Sequence, residues 1–243
     1  MLLILFISFT SIIFFPIAIV LWLVTYPFDR QTHLLHLFTC FWASLYIWSF
    51  LPWSVSVTGR EQIDPKQAYI IVSNHQSVVD ILVAFTLFIH FKWVSKEEMF
   101  HWPLIGWNMS LNRYVRLRRG KMSSVRGMYR ACEKHLRRGS SVYLFSEGTR
   151  STTGKLRPFK EGAFFLAKRL DLPILPIVIN GSNDAVPKGS LSFHGKCRIE
   201  IKILPPVQPK AEVSVRELTD SVREIIRAHV VEEMATALES SVS

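Results

Sequence analysis

The sequence predicts a mixed α/β fold with a largely parallel sheet flanked by helices, preceded by an N-terminal two-helix membrane motif. Three observations predict it. From Gly59 onward, short apolar runs alternate with helical stretches, the pattern of βαβ units. Before Gly59, Met1 to Phe28 carries no charged residue, and a second apolar run, Leu34 to Val57, follows the break Tyr26-Pro27-Phe28-Asp29-Arg30-Gln31. Finally, 243 residues suffice for one α/β domain with an appended element but not for two catalytic domains. The chain therefore divides into a membrane-embedded helical hairpin over residues 1–58 and an α/β domain over 59–243.

At about 1.5 Å rise per residue, the first run can reach about 42 Å as a helix, against about 30 Å of bilayer hydrocarbon. It is long enough to span. Pro16 can kink it, so two helices lying within one leaflet is the alternative. Trp42, Tyr46, Trp48 and Trp53 suit the headgroup level. A cleaved signal peptide fits poorly, because no Lys or Arg precedes the apolar run and no small-x-small site closes it.

The formal charge is +10, and Lys92 to Arg138 concentrates it, with twelve bases against three acids. Such a stretch attracts an anionic partner. No nucleic-acid motif accompanies it, and basic residues interleaved with aromatics suit a membrane surface, so no nucleic-acid partner is expected. Three cysteines without CxxC spacing point to neither zinc site nor disulfide framework, as in a reduced, cytosol-facing domain.

Within the α/β part, the candidate strands are Ala68 to Val72, Tyr114 to Leu117, Val142 to Phe145, Ile174 to Ile179 and Arg198 to Ile203. Helical stretches fall around Asp80 to Phe88, Ser123 to Arg137 and Gly162 to Leu170, with a last helix over about Val215 to Leu238. Ser214 and Glu217 form a capping box at its start, and Leu218, Val222, Ile225, Ile226 and Val230 make a core-facing stripe. Pro173 and Pro176 push the Ile174 strand toward a sheet edge or a bulge.

Two motifs carry chemistry. Directly after the first candidate strand comes Ser73-Asn74-His75-Gln76-Ser77-Val78-Val79-Asp80. On one regular helix His75 and Asp80 would project about 140° apart. They can pair only if His75 precedes the helix and Asp80 lies in its first turn. The carboxylate would then fix one ring nitrogen and leave the other to take a proton. A protein nucleophile is unnecessary where the acceptor is itself an alcohol. Alone, such a pair more often belongs to a structural histidine and a capping acid. The second motif shifts that balance: after Val142 to Phe145 stands Ser146-Glu147-Gly148-Thr149-Arg150-Ser151, which reads as a phosphate-binding turn. Gly148 lets backbone approach a ligand, Thr149 and Ser151 offer hydroxyls, and Arg150 offers a planar fork. Arg157, Lys160 and Gly162 continue the same chemistry.

At these residues the sequence resembles the 1-acyl-glycerol-3-phosphate acyltransferases of the glycerolipid acyltransferase superfamily. The match comprises Asn74 to Asp80, Phe145 to Ser151 with Pro158 to Ala163, and Leu175-Pro176-Ile177, in order over about Gly59 to Leu204. The resemblance implies His75 as general base and Asp80 as its orienter. It places Asn74, Glu147, Gly148, Thr149, Arg150 and Lys160 at the substrate, Glu147 and Arg150 around the acceptor phosphate. The family's further arginine matches one of Arg116, Arg118 and Arg119. Arg119, before Gly120, is favoured, with Arg118 and Arg116 as alternates. The implied reaction transfers a fatty acyl group from acyl-CoA or acyl carrier protein to the sn-2 hydroxyl of a lysophospholipid, 1-acyl-sn-glycerol-3-phosphate, giving phosphatidic acid. It needs no cofactor and no metal, at a membrane with the catalytic domain facing the cytoplasm. Glycerol-3-phosphate or a different lysophospholipid remains an alternative acceptor, and a relic site without activity the alternative from another class. A metallohydrolase lacks a ligand cluster such as HExxH, and neither Ser77 nor Cys132 sits in a GxSxG elbow.

Overall fold

The computed structural model describes residues 2–49, 53–151, 155–185 and 197–231. Helices α1 (Leu2–Thr25) and α2 (His33–Trp48) come first, then strand β1 (Trp53–Thr58). The chain continues through β2 (Ile70–Ser73), α3 (Val79–Phe85), β3 (Phe91–Lys96), α4 (Ile105–Leu111) and β4 (Val115–Leu117). After these come α5 (Met122–Leu136), β5 (Ser141–Phe145), α6 (Gly162–Leu170), β6 (Ile174–Asn180), the short α7 (Ser182–Ala185), β7 (Cys197–Ile203) and α8 (Val215–Arg227).

The described strands form one sheet in the order β1-β7-β6-β2-β5-β3-β4. From β6 to β4 all neighbours are parallel, while β7 runs antiparallel to β6 and β1 parallel to β7. Parallel strands covered on both faces need apolar residues at every position, and β2 and β6 are buried throughout. Alternate side chains serve opposite layers. Ile71, Tyr143, Leu175 and Ile177 meet Cys40, Ala43 and Ile47 of α2 and Val83 of α3. Ile70, Val142, Ile174 and Val178 meet Cys132 of α5, Phe164 of α6 and Val222 of α8. Residues at the i, i+4, i+8 spacing of α5 (Met128, Cys132, Leu136) supply the matching helical stripe. Because the strands from β6 to β4 point the same way, the loops leaving β2, β3, β4 and β5 open on one edge, where α/β sheets place ligands.

Several elements differ from the sequence expectation. The run Leu34 to Val57 is not one helix: α2 ends at Trp48, and Trp53–Thr58 join the sheet as β1, paired from Trp53↔Cys197 to Thr58↔Lys202. The sheet thus begins before Gly59. Helix α2 also buries nine residues, Leu35, Cys40 and Ile47 among them, so it is a layer of the α/β core as well as a partner of α1. Helix α1 continues through Pro16 and stays apolar outside, with Phe9, Ile12 and Val24 each more than 60% exposed. It is long and apolar enough to cross a membrane. Strand β3 and helix α4 had no counterpart in the sequence reading.

Strand β6 lies inside the sheet, between β7 and β2, and not at an edge. Pro176 is tolerated because its missing N–H falls at a register slip. Ile177 pairs with Ile203, but Ile174 bridges to Val207, three steps on one strand against four on the other. The Pro176 carbonyl still accepts from Leu204 N at 3.0 Å. The bulge half of the expectation describes this site. Helix α8 carries the capping box on Ser214 and Glu217, and Leu218, Val222 and Ile226 are buried in the core. The helix ends at Arg227, with Ala228 as its C-cap, short of the expected Leu238; residues from 232 onward lie outside the described residues.

Candidate active site

Asp80 sits in the first turn of α3, and His75 lies ahead of that helix in the loop leaving β2. The short loop turns the carboxylate back: Asp80 Oδ2 accepts from His75 Nδ1 at 2.8 Å, Gln76 N at 2.7 Å and Ser77 N at 2.9 Å. Asp80 is wholly buried, whereas the His75 side chain keeps 13% of its surface exposed. The His75 ring stacks on Phe145 with centroids 3.8 Å apart and planes 11° from parallel. One nitrogen and one face of the imidazole are thereby fixed. Nε2 has no partner among the described residues, and His75 lines a cavity of about 670 Å³.

The cavity occupies the carboxyl edge of the parallel strands. Lys96 closes β3, Arg119 and Gly120 follow β4, and Ser146, Gly148, Thr149 and Arg150 follow β5. Lys160 and Gly162, at the start of α6, complete this lining. Gly148 has φ +71°, and a Cβ there would come within 2.7 Å of the Lys160 side chain, so the turn requires glycine. Lys160 thus lies over the turn, its backbone N donating to Ser146 O at 2.8 Å. Apolar side chains line the cavity as well, among them Ile81 and Phe85 of α3 and Met109 of α4. Such a lining can hold an anionic group and a hydrocarbon chain beside an unpartnered imidazole nitrogen.

Not every sequence candidate reaches this cavity. Asn74, 1% exposed, donates from Nδ2 to Ile179 O at 2.7 Å and accepts from Ile179 N at Oδ1, 2.8 Å. Its amide extends the β2–β6 ladder by one rung instead of facing a substrate. Glu147, 4% exposed, is likewise turned inward: Oε1 accepts from His75 N at 2.7 Å and Oε2 from Arg157 N at 2.9 Å. The carboxylate that the resemblance put beside a phosphate instead clasps the β2–α3 loop to the segment after β5. Burial pushes its carboxyl up to about 7, outweighing the two backbone donors that pull it down. Of the three arginines, only Arg119 lines the cavity. Arg116 stacks over Phe100 at 4.7 Å and donates to Ser110 Oγ, and Arg118 lies outside the cavity lining.

The sequence reading missed one wall altogether. Thr39, Trp42, Ala43 and Tyr46 of α2 line the same cavity as His75. The signal was the small and polar face Thr39, Ala43 and Ser44 inside an otherwise apolar run, which a purely lipid-facing helix has no need of. Among the described residues, no group of three or more His, Cys, Asp or Glu is placed to hold a metal ion.

The mixed sheet thus carries an oriented histidine and basic turns at its carboxyl edge. The family model described as Acyltransferase matches residues 54–180, more than half of the chain, and the chain belongs to that family. It is 34% identical over 216 residues to the chloroplastic 1-acyl-sn-glycerol-3-phosphate acyltransferase of Brassica napus, covering 86% of this chain and 62% of that protein. A chloroplastic enzyme of the same name from Arabidopsis thaliana is 34% identical over 82% of this chain and 55% of its own length. The chain thus spans little more than half the length of these curated relatives. The crystal structure of the 1-acyl-sn-glycerophosphate acyltransferase PlsC from Thermotoga maritima superposes with a TM-score of 0.78 at 27% identity, covering 94% of this chain and 93% of that one.

Proposed function

We propose that the chain is a membrane-bound 1-acylglycerol-3-phosphate O-acyltransferase, transferring a fatty acyl group from an acyl-CoA or acyl carrier protein thioester to the sn-2 hydroxyl of a lysophosphatidate. The observation that carries the reading is the His75 ring, bound at Nδ1 by Asp80 and open at Nε2 to a cavity lined by both basic and apolar side chains. In the proposed reaction, Nε2 takes the proton of the acceptor hydroxyl as its oxygen attacks the thioester carbonyl. The tetrahedral intermediate collapses to the new ester and expels a thiolate, which takes the proton from the imidazolium. Asp80 stabilises that imidazolium without itself changing protonation. A positioned base of this kind contributes about a hundred- to ten-thousandfold in rate.

Arg150, with Arg119 and Lys160, is proposed to hold the acceptor phosphate, and Thr149 to offer a hydroxyl to it. The names of the relatives support the lysophosphatidate acceptor over glycerol-3-phosphate or another lysophospholipid. Helix α1 supports attachment to a membrane, with the basic domain proposed to face the cytoplasm. Acceptor and product both carry long chains, so a site near the headgroup plane avoids exposing methylenes at about 0.8 kcal/mol each.

The test offers membranes containing the protein one acyl-CoA, or an acyl carrier protein thioester, with glycerol-3-phosphate, lysophosphatidate or lysophosphatidylcholine. Phosphatidic acid formed from lysophosphatidate in clear excess of the other products is the expected result. Acylation of none of the three, with either donor, removes the enzymatic reading in favour of a relic site.

A further inference from the structure

A second cavity, of about 630 Å³, lies at the turn joining α1 to α2 and shares no residue with the one at His75. It is lined by Tyr26, Arg30, Gln31, Arg113 and Arg138. Three separate stretches of chain thus bring three guanidinium groups to one hollow, and none of the lining residues is acidic. Arg113 is held in place: Nη1 donates to Arg30 O at 2.8 Å, and the guanidinium lies 5.4 Å from the centre of the Tyr26 ring. The Arg30 and Arg138 side chains are exposed and have no hydrogen-bond or ion-pair partner among the described residues. Asp29, the acid nearest in sequence, is committed elsewhere, accepting from Leu34 N at 2.8 Å and pairing with His33.

Beneath the hollow, Asp29 is the acid that faces Lys92. Lys92, wholly buried, donates to Gln31 O, Thr32 Oγ1 and Asn112 O, fixing the turn to β3 and to the end of α4. Burial, with repulsion from Arg113, lowers its ammonium to about 7 against the attraction of Asp29. Burial also holds the imidazoles of His90 and His135 well below their usual range, that of His135 at about 4. Beside the hollow, the apolar outer surface of α1 ends in Val24, 64% exposed, and Phe28, 72% exposed. Guanidinium forks directly above an exposed apolar band match the level at which a phospholipid carries its phosphate.

We propose that this hollow binds the phosphate group of a membrane phospholipid, outside the reaction cavity, and so seats the α1–α2 turn at headgroup level. The alternative source of the same chemistry is a free phosphate ion. The test uses the full chain in non-ionic detergent and follows its unfolding midpoint by tryptophan fluorescence. The added probes are dihexanoylphosphatidylglycerol, dihexanoylglycerol, which lacks the phosphate, and inorganic phosphate. The phosphatidylglycerol should raise the midpoint saturably and dihexanoylglycerol should not. Arg30→Gln with Arg138→Gln, both at exposed positions, should need about tenfold more lipid for the same rise, and the Lys pair should fall between. Arg150→Gln, in the other cavity, should titrate as the unaltered chain does. An equal rise from inorganic phosphate, with the same dependence on Arg30 and Arg138, would keep the anion site but assign it to a soluble phosphate. A double Gln variant that titrates like the unaltered chain, or loss of the rise in Arg150→Gln, would overturn the proposal.

Discussion

The loop after β2 and the loop after β5 leave adjacent parallel strands at the same sheet edge, and each carries a buried carboxylate that accepts backbone N–H groups. They use it differently. Asp80 holds a side chain, the His75 ring, and leaves one of its own oxygens without a hydrogen-bond partner. Glu147 holds backbone, one N–H on each side of the cleft, and both its oxygens are engaged. The first arrangement orients a ring that lines the cavity, and the second ties two backbone segments together. An acid inside a signature motif thus need not face the ligand: Glu147 turns away from the cavity that Arg150 and Lys160 line.

Substitutions can break this contrast from either side. His75→Ala should cut transfer by about a hundred- to ten-thousandfold while leaving membrane attachment intact. Asp80→Asn should approach the same loss, since the carboxamide can keep the ring in place but no longer stabilises an imidazolium, and turnover in membranes reads both. Glu147→Gln presents an amide NH₂ to one of two backbone N–H groups. It leaves one buried donor unpaired and should lower unfolding free energy below pH 7 by about 1–3 kcal/mol, measured by denaturant unfolding in detergent. Near-native stability with lost phosphate affinity would return Glu147 to the substrate. Arg150→Lys keeps charge and loses the fork, so the KM for lysophosphatidate should rise about tenfold with a smaller change in kcat. An unchanged KM would shift the phosphate contact to Lys160 or Arg119.

Glu147 also predicts a pH dependence. Its native carboxyl is raised from an ordinary 4.5 to about 7, so between these values the folded chain holds a proton that the unfolded chain has released. Stability from this group is present at low pH and is lost as pH rises toward 7, by at most about 1.4 kcal/mol per unit. The difference between the unaltered chain and Glu147→Gln should follow that slope, and a difference independent of pH would contradict it.

Much of this was legible in the sequence because the signals are local. A strand-loop-helix transition forces His75 and Asp80 together, and Gly148 marks a turn with positive φ whatever surrounds it. The expected bounds of α6 are those observed, because Gly162 and Asp171 punctuate an apolar stripe. What escaped depends on distant partners. Strand β3 carries Lys92 in its middle, and a lysine belongs in a core strand only once Gln31, Thr32 and Asn112 are known to satisfy it. Strand β1 reads as the tail of an apolar helix until β7 is found beside it. The inward turns of Asn74 and Glu147 are invisible in one dimension, since their partners Ile179 and Arg157 lie in other segments.

The central claim is direct transfer: an imidazole whose free nitrogen meets the acceptor hydroxyl, with no protein nucleophile between. Among the described residues no hydroxyl or thiol is hydrogen-bonded to Nε2 of His75. The most direct measurement mixes the protein with acyl-CoA in the absence of acceptor and follows its intact mass and the release of free thiol. Direct transfer leaves the chain unmodified with no burst of thiol, and thiol and phosphatidic acid should appear together once lysophosphatidate is added. A stoichiometric acyl adduct on the chain that then passes to lysophosphatidate would contradict it.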